Sequence, residues 1–164
     1  RQMCIRDRDG DGTGEAAVLY TTDTTSSNVW LAVLEPSGDS GWRVSHAIEG
    51  LSSEVQSFSA AHLRDTSSQQ LLAGYVSPQG DQYLVVYQYD GDTLSTVISK
   101  SYTDMIVADF TGKGDTQDLV LALPPDTELG GVTLQLLTAN DGEFRSTQTL
   151  NLGEGVYSLS LIHI

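Results

Sequence analysis

The most constraining feature of the sequence is a turn-and-strand unit that recurs three times. The first copy is Asp7-Arg8-Asp9-Gly10-Asp11-Gly12-Thr13-Gly14-Glu15, followed by the run Ala16-Ala17-Val18-Leu19-Tyr20. The second runs from His62 to Gln70 and continues as Leu71-Leu72-Ala73-Gly74-Tyr75. The third opens at Asp109-Phe110-Thr111-Gly112-Lys113-Gly114, has a spacer one residue longer, and continues as Asp118-Leu119-Val120-Leu121. The copies begin about 55 and about 47 residues apart. Repeats of that length are one supersecondary unit each, stacked on its neighbours.

Between the copies the apolar residues fall in short runs bounded by Gly, Asp, Ser and Pro, the pattern of strands rather than helices. Eleven such runs can be counted between Ala16 and Leu150. Val132-Thr133-Leu134-Gln135-Leu136 alternates strictly, as a half-buried strand does, while Tyr83-Leu84-Val85-Val86-Tyr87 is nearly continuous, as a strand covered on both faces is. Turn signals separate the runs at Ser37-Gly38-Asp39, Pro78-Gln79-Gly80-Asp81, Asp90-Gly91-Asp92 and Asn140-Asp141-Gly142. About four strands per period predicts an all-β chain of four-stranded antiparallel blades, a partial β-propeller of about three repeat units over residues 1–157. A closed propeller takes at least about four blades. The competing architecture is a single β-sandwich of about eleven strands.

The first loop carries the chemistry. Asp7, Asp9, Asp11 and Glu15 stand at positions 1, 3, 5 and 9, and Thr13 at position 7 adds a backbone carbonyl. Alternate side chains of a curled loop point inward, and three glycines permit the curl. Clustered carboxylates call for a hard cation, and calcium fits an all-oxygen, flexible loop best. An EF-hand is excluded, because position 12 is Val18 where a bidentate Glu is required. The second loop offers His62, Arg64, Thr66 and Gln70 at the ligand positions, and no metal is expected there. In the third, Lys113 stands at position 5, where its ammonium is expected to replace the cation.

Asp7-x-Asp9-Gly10-Asp11-Gly12-x-x-Glu15 before an apolar strand resembles the calcium loop of FG-GAP or VCBS-type repeats, the blades of integrin-α-like propellers. Asp109-x-x-Gly112-x-Gly114 resembles a degenerate copy. The resemblance implies a structural calcium between neighbouring strands of a blade, and a secreted or lipid-anchored bacterial protein at the cell surface or outside it. It also implies an adhesive or scaffolding role toward an unknown protein or glycan. The leading expectation is therefore a non-catalytic extracytoplasmic propeller module. The alternatives are a propeller domain accessory to a polysaccharide-processing enzyme, and an intracellular sandwich without metal.

The remaining features bound these readings. The net charge of −14, from 22 acidic against 8 basic residues, repels phosphate backbones and argues against a nucleic-acid partner. No apolar run approaches the length of a membrane span. The single cysteine, Cys4, allows no internal disulfide. No phosphate-cradling Gly-Lys motif or serine elbow occurs, and no pair of carboxylates stands out for sugar hydrolysis. His46, in alternation with Val44 and Ile48, reads as a packed strand residue, and Trp30 and Trp42 read as core. Asp126 and Glu128 read as solvated loop acids. The end peptides Gln2-Met3-Cys4-Ile5-Arg6-Asp7 and Ser158-Leu159-Ser160-Leu161-Ile162-His163-Ile164 resemble translated sequencing adapter. The native portion is accordingly expected at roughly residues 8 to 157, with 158–164 a foreign tail.

Overall fold

The structure is a computed structural model that describes residues 3–7, 11–22, 28–38, 41–112, 114–125, 131–140 and 143–153, for 3–6 as backbone alone. Twelve strands form three four-stranded sheets, and each sheet takes its strands in chain order. The first sheet contains β1 (Met3–Arg6), β2 (Glu15–Tyr20), β3 (Trp30–Ser37) and β4 (Gly41–Glu49). The second contains β5 (Glu54–Ala61), β6 (Gln70–Val76), β7 (Gln82–Tyr89) and β8 (Leu94–Ser101). The third contains β9 (Asp104–Ala108), β10 (Asp118–Leu123), β11 (Thr133–Asn140) and β12 (Glu143–Asn151). The all-β class is as the turn-bounded apolar runs require, and there is no helix among the described residues. The three loops aligned in the sequence each join the first and second strands of a sheet.

Eleven strands fall on the runs read from the sequence, and β1 is an addition. Met3–Arg6 pairs with Glu15–Val18 in antiparallel register, Met3 opposite Val18 and Arg6 opposite Glu15. At four residues it is too short to show a period. The suspect tail 158–164 lies outside the described residues, as do Asp126 and Glu128.

The chain divides into two compact units, Arg1–His62 with Ser67–Lys100 and Leu63–Thr66 with Ser101–Ile164. The first unit holds the first two sheets. Because side chains alternate along a strand, each sheet has two faces. We call forward the face that carries the first, third and fifth residues of its second strand, and reverse the other. In the first sheet the forward face presents Ala17 and Leu19, with Leu31 and Ile48 beside them by register. In the second sheet the reverse face presents Leu71, Ala73 and Tyr75 beside Val85 and Tyr87. These two faces form one hydrophobic core. Burying each Leu or Val contributes roughly 1.5–3 kcal/mol.

The phenols of Tyr75 and Tyr87 are paired at 3.0 Å inside this core. Burial pushes both pKa values up, so both stay protonated. Gly50 lies against the Tyr75 ring, and a Cβ at Gly50 would stand 2.5 Å from its hydroxyl oxygen. The crossing from β4 to β5 is pinned nearby: Val29 N donates to Ser52 O and Gly50 N to Val29 O, both at 2.8 Å.

A β-bulge in β4 corrects the alternation expected there. His46 pairs with Val33, but the next pair is Val44 with Leu34, so Ser45 is the extra residue. His46 and Ile48 face forward, toward the core, whereas Val44 turns to the reverse face and is 60% exposed. Trp42, two residues on, is 48% exposed and is not core as expected; Trp30 is half-buried.

The bulge aims Ser45 at a polar clasp between the two sheets. Ser45 Oγ lies 2.8 Å from Glu35 Oε1, 2.9 Å from the Tyr89 hydroxyl and 3.1 Å from His46 Nδ1. Glu35 also accepts from the Tyr89 hydroxyl and from Arg43 Nη2. The His46 and Tyr89 rings meet with centroids 5.6 Å apart. The Tyr89 hydrogen bond and then that of Ser45 hold the Glu35 carboxyl below its ordinary 4.5 against the opposing effect of burial, with lesser help from the charges of Arg43 and His46.

Two outcomes follow from this packing. Gly50→Ala forces the added methyl onto the buried Tyr75 ring, and urea unfolding should register a loss of about 1–3 kcal/mol; an unchanged midpoint would show that the ring has room to move. A carboxyl with a depressed folded-state pKa stabilises above its unfolded value and loses that contribution as pH falls through the folded one. The stability gap between wild type and Glu35→Gln should therefore be largest above pH 4.5 and close as pH drops below it. A gap constant with pH would mean that Glu35 acts by shape alone.

Candidate metal centre

The β1–β2 loop must reverse the chain between two hydrogen-bonded strands. Gly12 makes the reversal with φ of +88°, a conformation that costs glycine little. Two Asp side chains hold the turn. Gly12 N donates to Asp7 Oδ2 at 3.0 Å, and Thr13 N donates to Asp11 Oδ1 at 2.6 Å. Glu15, the first residue of β2, faces forward and is only 2% exposed. Asp7, Asp11 and Glu15 thereby each bring one carboxylate oxygen within 4.8 Å of the others. At that separation each pair of charges repels by about 1 kcal/mol even in water, and by more where water is displaced.

The donor set fits a hard cation. All three side chains supply oxygen, the donor type of hard-cation sites, and number fewer than the six to eight oxygens that calcium takes. Of the five residues expected at the site, the structure brings Asp7, Asp11 and Glu15 together. Thr13 is exposed and enters through its amide, and Asp9 lies outside the described residues. Among the described residues this is the one such grouping of acids.

The other two loops close the same connection differently. In the second, His62 Nδ1 lies 3.0 Å from the carbonyl of Ser68. A carbonyl only accepts, so Nδ1 carries the proton and Nε2 accepts from Gln69 Nε2 at 3.1 Å. Gln70, fully buried in the place of Glu15, donates to Gln88 Oε1 at 2.6 Å and to Ser68 Oγ at 3.3 Å. Imidazole and amide side chains thus make these ties. His62, at a ligand position where no metal is expected, is one of the ties.

The third loop keeps the backbone pattern of the first. Asp109 Oδ2 accepts from Gly114 N, five residues on, as Asp7 Oδ2 does from Gly12 N. Its Oδ1 accepts from Gly112 N at 2.7 Å. Both glycines have positive φ. Asp118, 1% exposed in the place of Glu15, turns back on the loop, where its Oδ2 accepts from Phe110 N and Thr111 N at 2.8 Å each. Its Oδ1 has no hydrogen-bond partner among the described residues. Lys113, expected to stand in for the cation, lies outside them. The sequence reading passed over Asp118 because the longer spacer moves it off the ligand positions; its place at the start of an apolar run was the available signal.

Asp90 accepts from the amides of Asp92 and Thr93 at 3.1 and 2.7 Å, so Asp90-Gly91-Asp92 is a self-contained hairpin turn. No helix among the described residues is long and apolar enough to cross a membrane. A scan against protein-family models finds no match, and a search of curated proteins finds no similar sequence.

Proposed function

We propose that the chain is a non-catalytic module of the β-propeller type, in which a calcium ion at Asp7, Asp11 and Glu15 locks the connection between the first two strands of the first sheet. The convergence of three carboxylates at that connection, one of them buried, carries the reading. Further support comes from the equivalent connections, which are tied by His62 and Gln70 in the second sheet and by Asp109 and Asp118 in the third. The sequence pattern adds Asp9 and the Thr13 carbonyl to the ligand set. The propeller reading is supported by three consecutive four-stranded meanders, each with its aligned loop in the same place.

The ion's role in this proposal is structural. It would neutralise acids that otherwise repel across a tight turn, and so hold β1 on β2. Calcium sites of extracellular modules bind at about 0.1–1 mM, which suits a place outside the cytoplasm or on the cell surface. A scaffolding or binding role toward a protein or glycan completes the reading.

Calorimetry tests the metal directly. At a tenfold excess over Kd, calcium should raise Tm by about 3–6 °C over the EDTA-treated protein. The double variant Asp11→Asn, Glu15→Gln should lose that response while keeping its strand signal in circular dichroism. Identical melting in calcium and in EDTA would remove the structural ion from the proposal.

A further inference from the structure

Strand register places a further acid beside the candidate metal centre. Ala16 pairs with Leu34, so the preceding residue of β2, Glu15, stands opposite the following residue of β3, Glu35. Opposite residues of an antiparallel pair share a face, with Cβ atoms about 4.5–5.5 Å apart. The second sheet shows that side chains at this position meet. There Leu71 pairs with Tyr87, which sets Gln70 opposite Gln88, and the two amides are 2.6 Å apart. In the third sheet Leu119 pairs with Leu137, which sets Asp118 opposite Thr138. Of the three sheets, only the first puts two acids there, and like charges so placed repel.

Glu35 is not one of the three carboxylates that converge within 4.8 Å. Its carboxylate is taken up by the clasp, where it accepts from Ser45, Arg43 and Tyr89. These donors offset the cost of holding a second acid opposite the buried Glu15. Arg43 does not cancel the charge of Glu35 for the loop. Its side chain is 62% exposed against 19% for Glu35, so water screens it.

We propose, on the calcium reading given above, that the Glu35 carboxylate strengthens cation binding at Asp7, Asp11 and Glu15 through its charge, without ligating the ion. Without an ion, Glu15 and Glu35 face each other as like charges. With an ion at Glu15 the balance reverses, because two positive charges outweigh the one negative charge of Glu15. Over about 6–10 Å in water, the attraction of a divalent ion for one carboxylate is worth roughly three- to tenfold in affinity. The coupling is reciprocal: whatever factor Glu35 adds to ion affinity, the ion adds to the contribution of Glu35 to folding.

Calcium titration calorimetry on the whole chain at low ionic strength is the test. Glu35→Gln should raise Kd about three- to tenfold over wild type, and the factor should shrink as salt is added. Tyr89→Phe breaks the clasp and keeps the charge, so it should lose stability yet bind calcium as wild type does. In urea unfolding, the stability gap between wild type and Glu35→Gln should be wider in calcium than in EDTA. Glu35→Thr, which introduces the residue type of Thr138, provides a second neutral variant should Glu35→Gln fail to fold. A wild type that binds calcium beside a Glu35→Gln variant of equal affinity overturns this inference and leaves the calcium reading standing. Equal weakening by Glu35→Gln and Tyr89→Phe places the effect in packing and overturns it as well. A wild type that binds no calcium removes the reading and the inference together.

Discussion

The packing of the first sheet's forward face on the second sheet's reverse face is the contact on which the first compact unit depends. A four-stranded meander with one apolar face is only marginally stable in water, since nothing removes that face from solvent. Alternation supplies the remedy. Ala17, Leu19 and Leu31 meet Leu71, Ala73 and Val85 in one dry layer, and the same alternation leaves Leu72, Leu84 and Val86 for the opposite side of the second sheet. Polar groups follow from this layer and do not compete with it. The paired phenols of Tyr75 and Tyr87 satisfy each other inside it. Glu35, Ser45 and Tyr89 form the clasp at its edge.

The connection between the first and second strands poses one physical problem three times. Each loop ends at a buried polar residue, Glu15, Gln70 or Asp118, and a buried polar group must find partners. Gln70 finds an amide and a hydroxyl, and Asp118 finds two backbone N–H groups. Glu15 stands beside two further carboxylates, which turns the same position into a candidate cation site. The first and third loops share an Asp-to-amide bond five residues long, from Asp7 and Asp109, whereas the second is tied through His62 and Gln70.

The turns were legible from the sequence because their causes are local. Positive φ at Gly12, Gly80, Gly91, Gly112 and Gly114 falls within the turns and loops read from the sequence. The strands were legible because alternation is a property of a few neighbouring residues. The bulge at Ser45 was not, since an extra residue becomes visible only when the partner strand is laid beside it. It reversed the facing of Val44 relative to His46 and turned Trp42 to the open side. β1 gave no signal of its own: its four residues take their place from the ladder with β2.

At the candidate site the acids and their spacing were written in the sequence, as was the absence of carboxylates at the ligand positions of the second loop. By itself the sequence determined the all-β class, the turn positions and the acidic loop, which depend on residues within one turn or strand of each other, and the three-fold recurrence, which is a likeness between stretches about 55 and about 47 residues apart. Only the tertiary structure decided that Glu15 is buried while Asp11 is exposed, that His62 and Asp118 tie their loops, and that Trp42 and Val44 are exposed. Those outcomes depend on which face of a sheet another sheet covers, and that is settled by contacts between residues tens of positions apart.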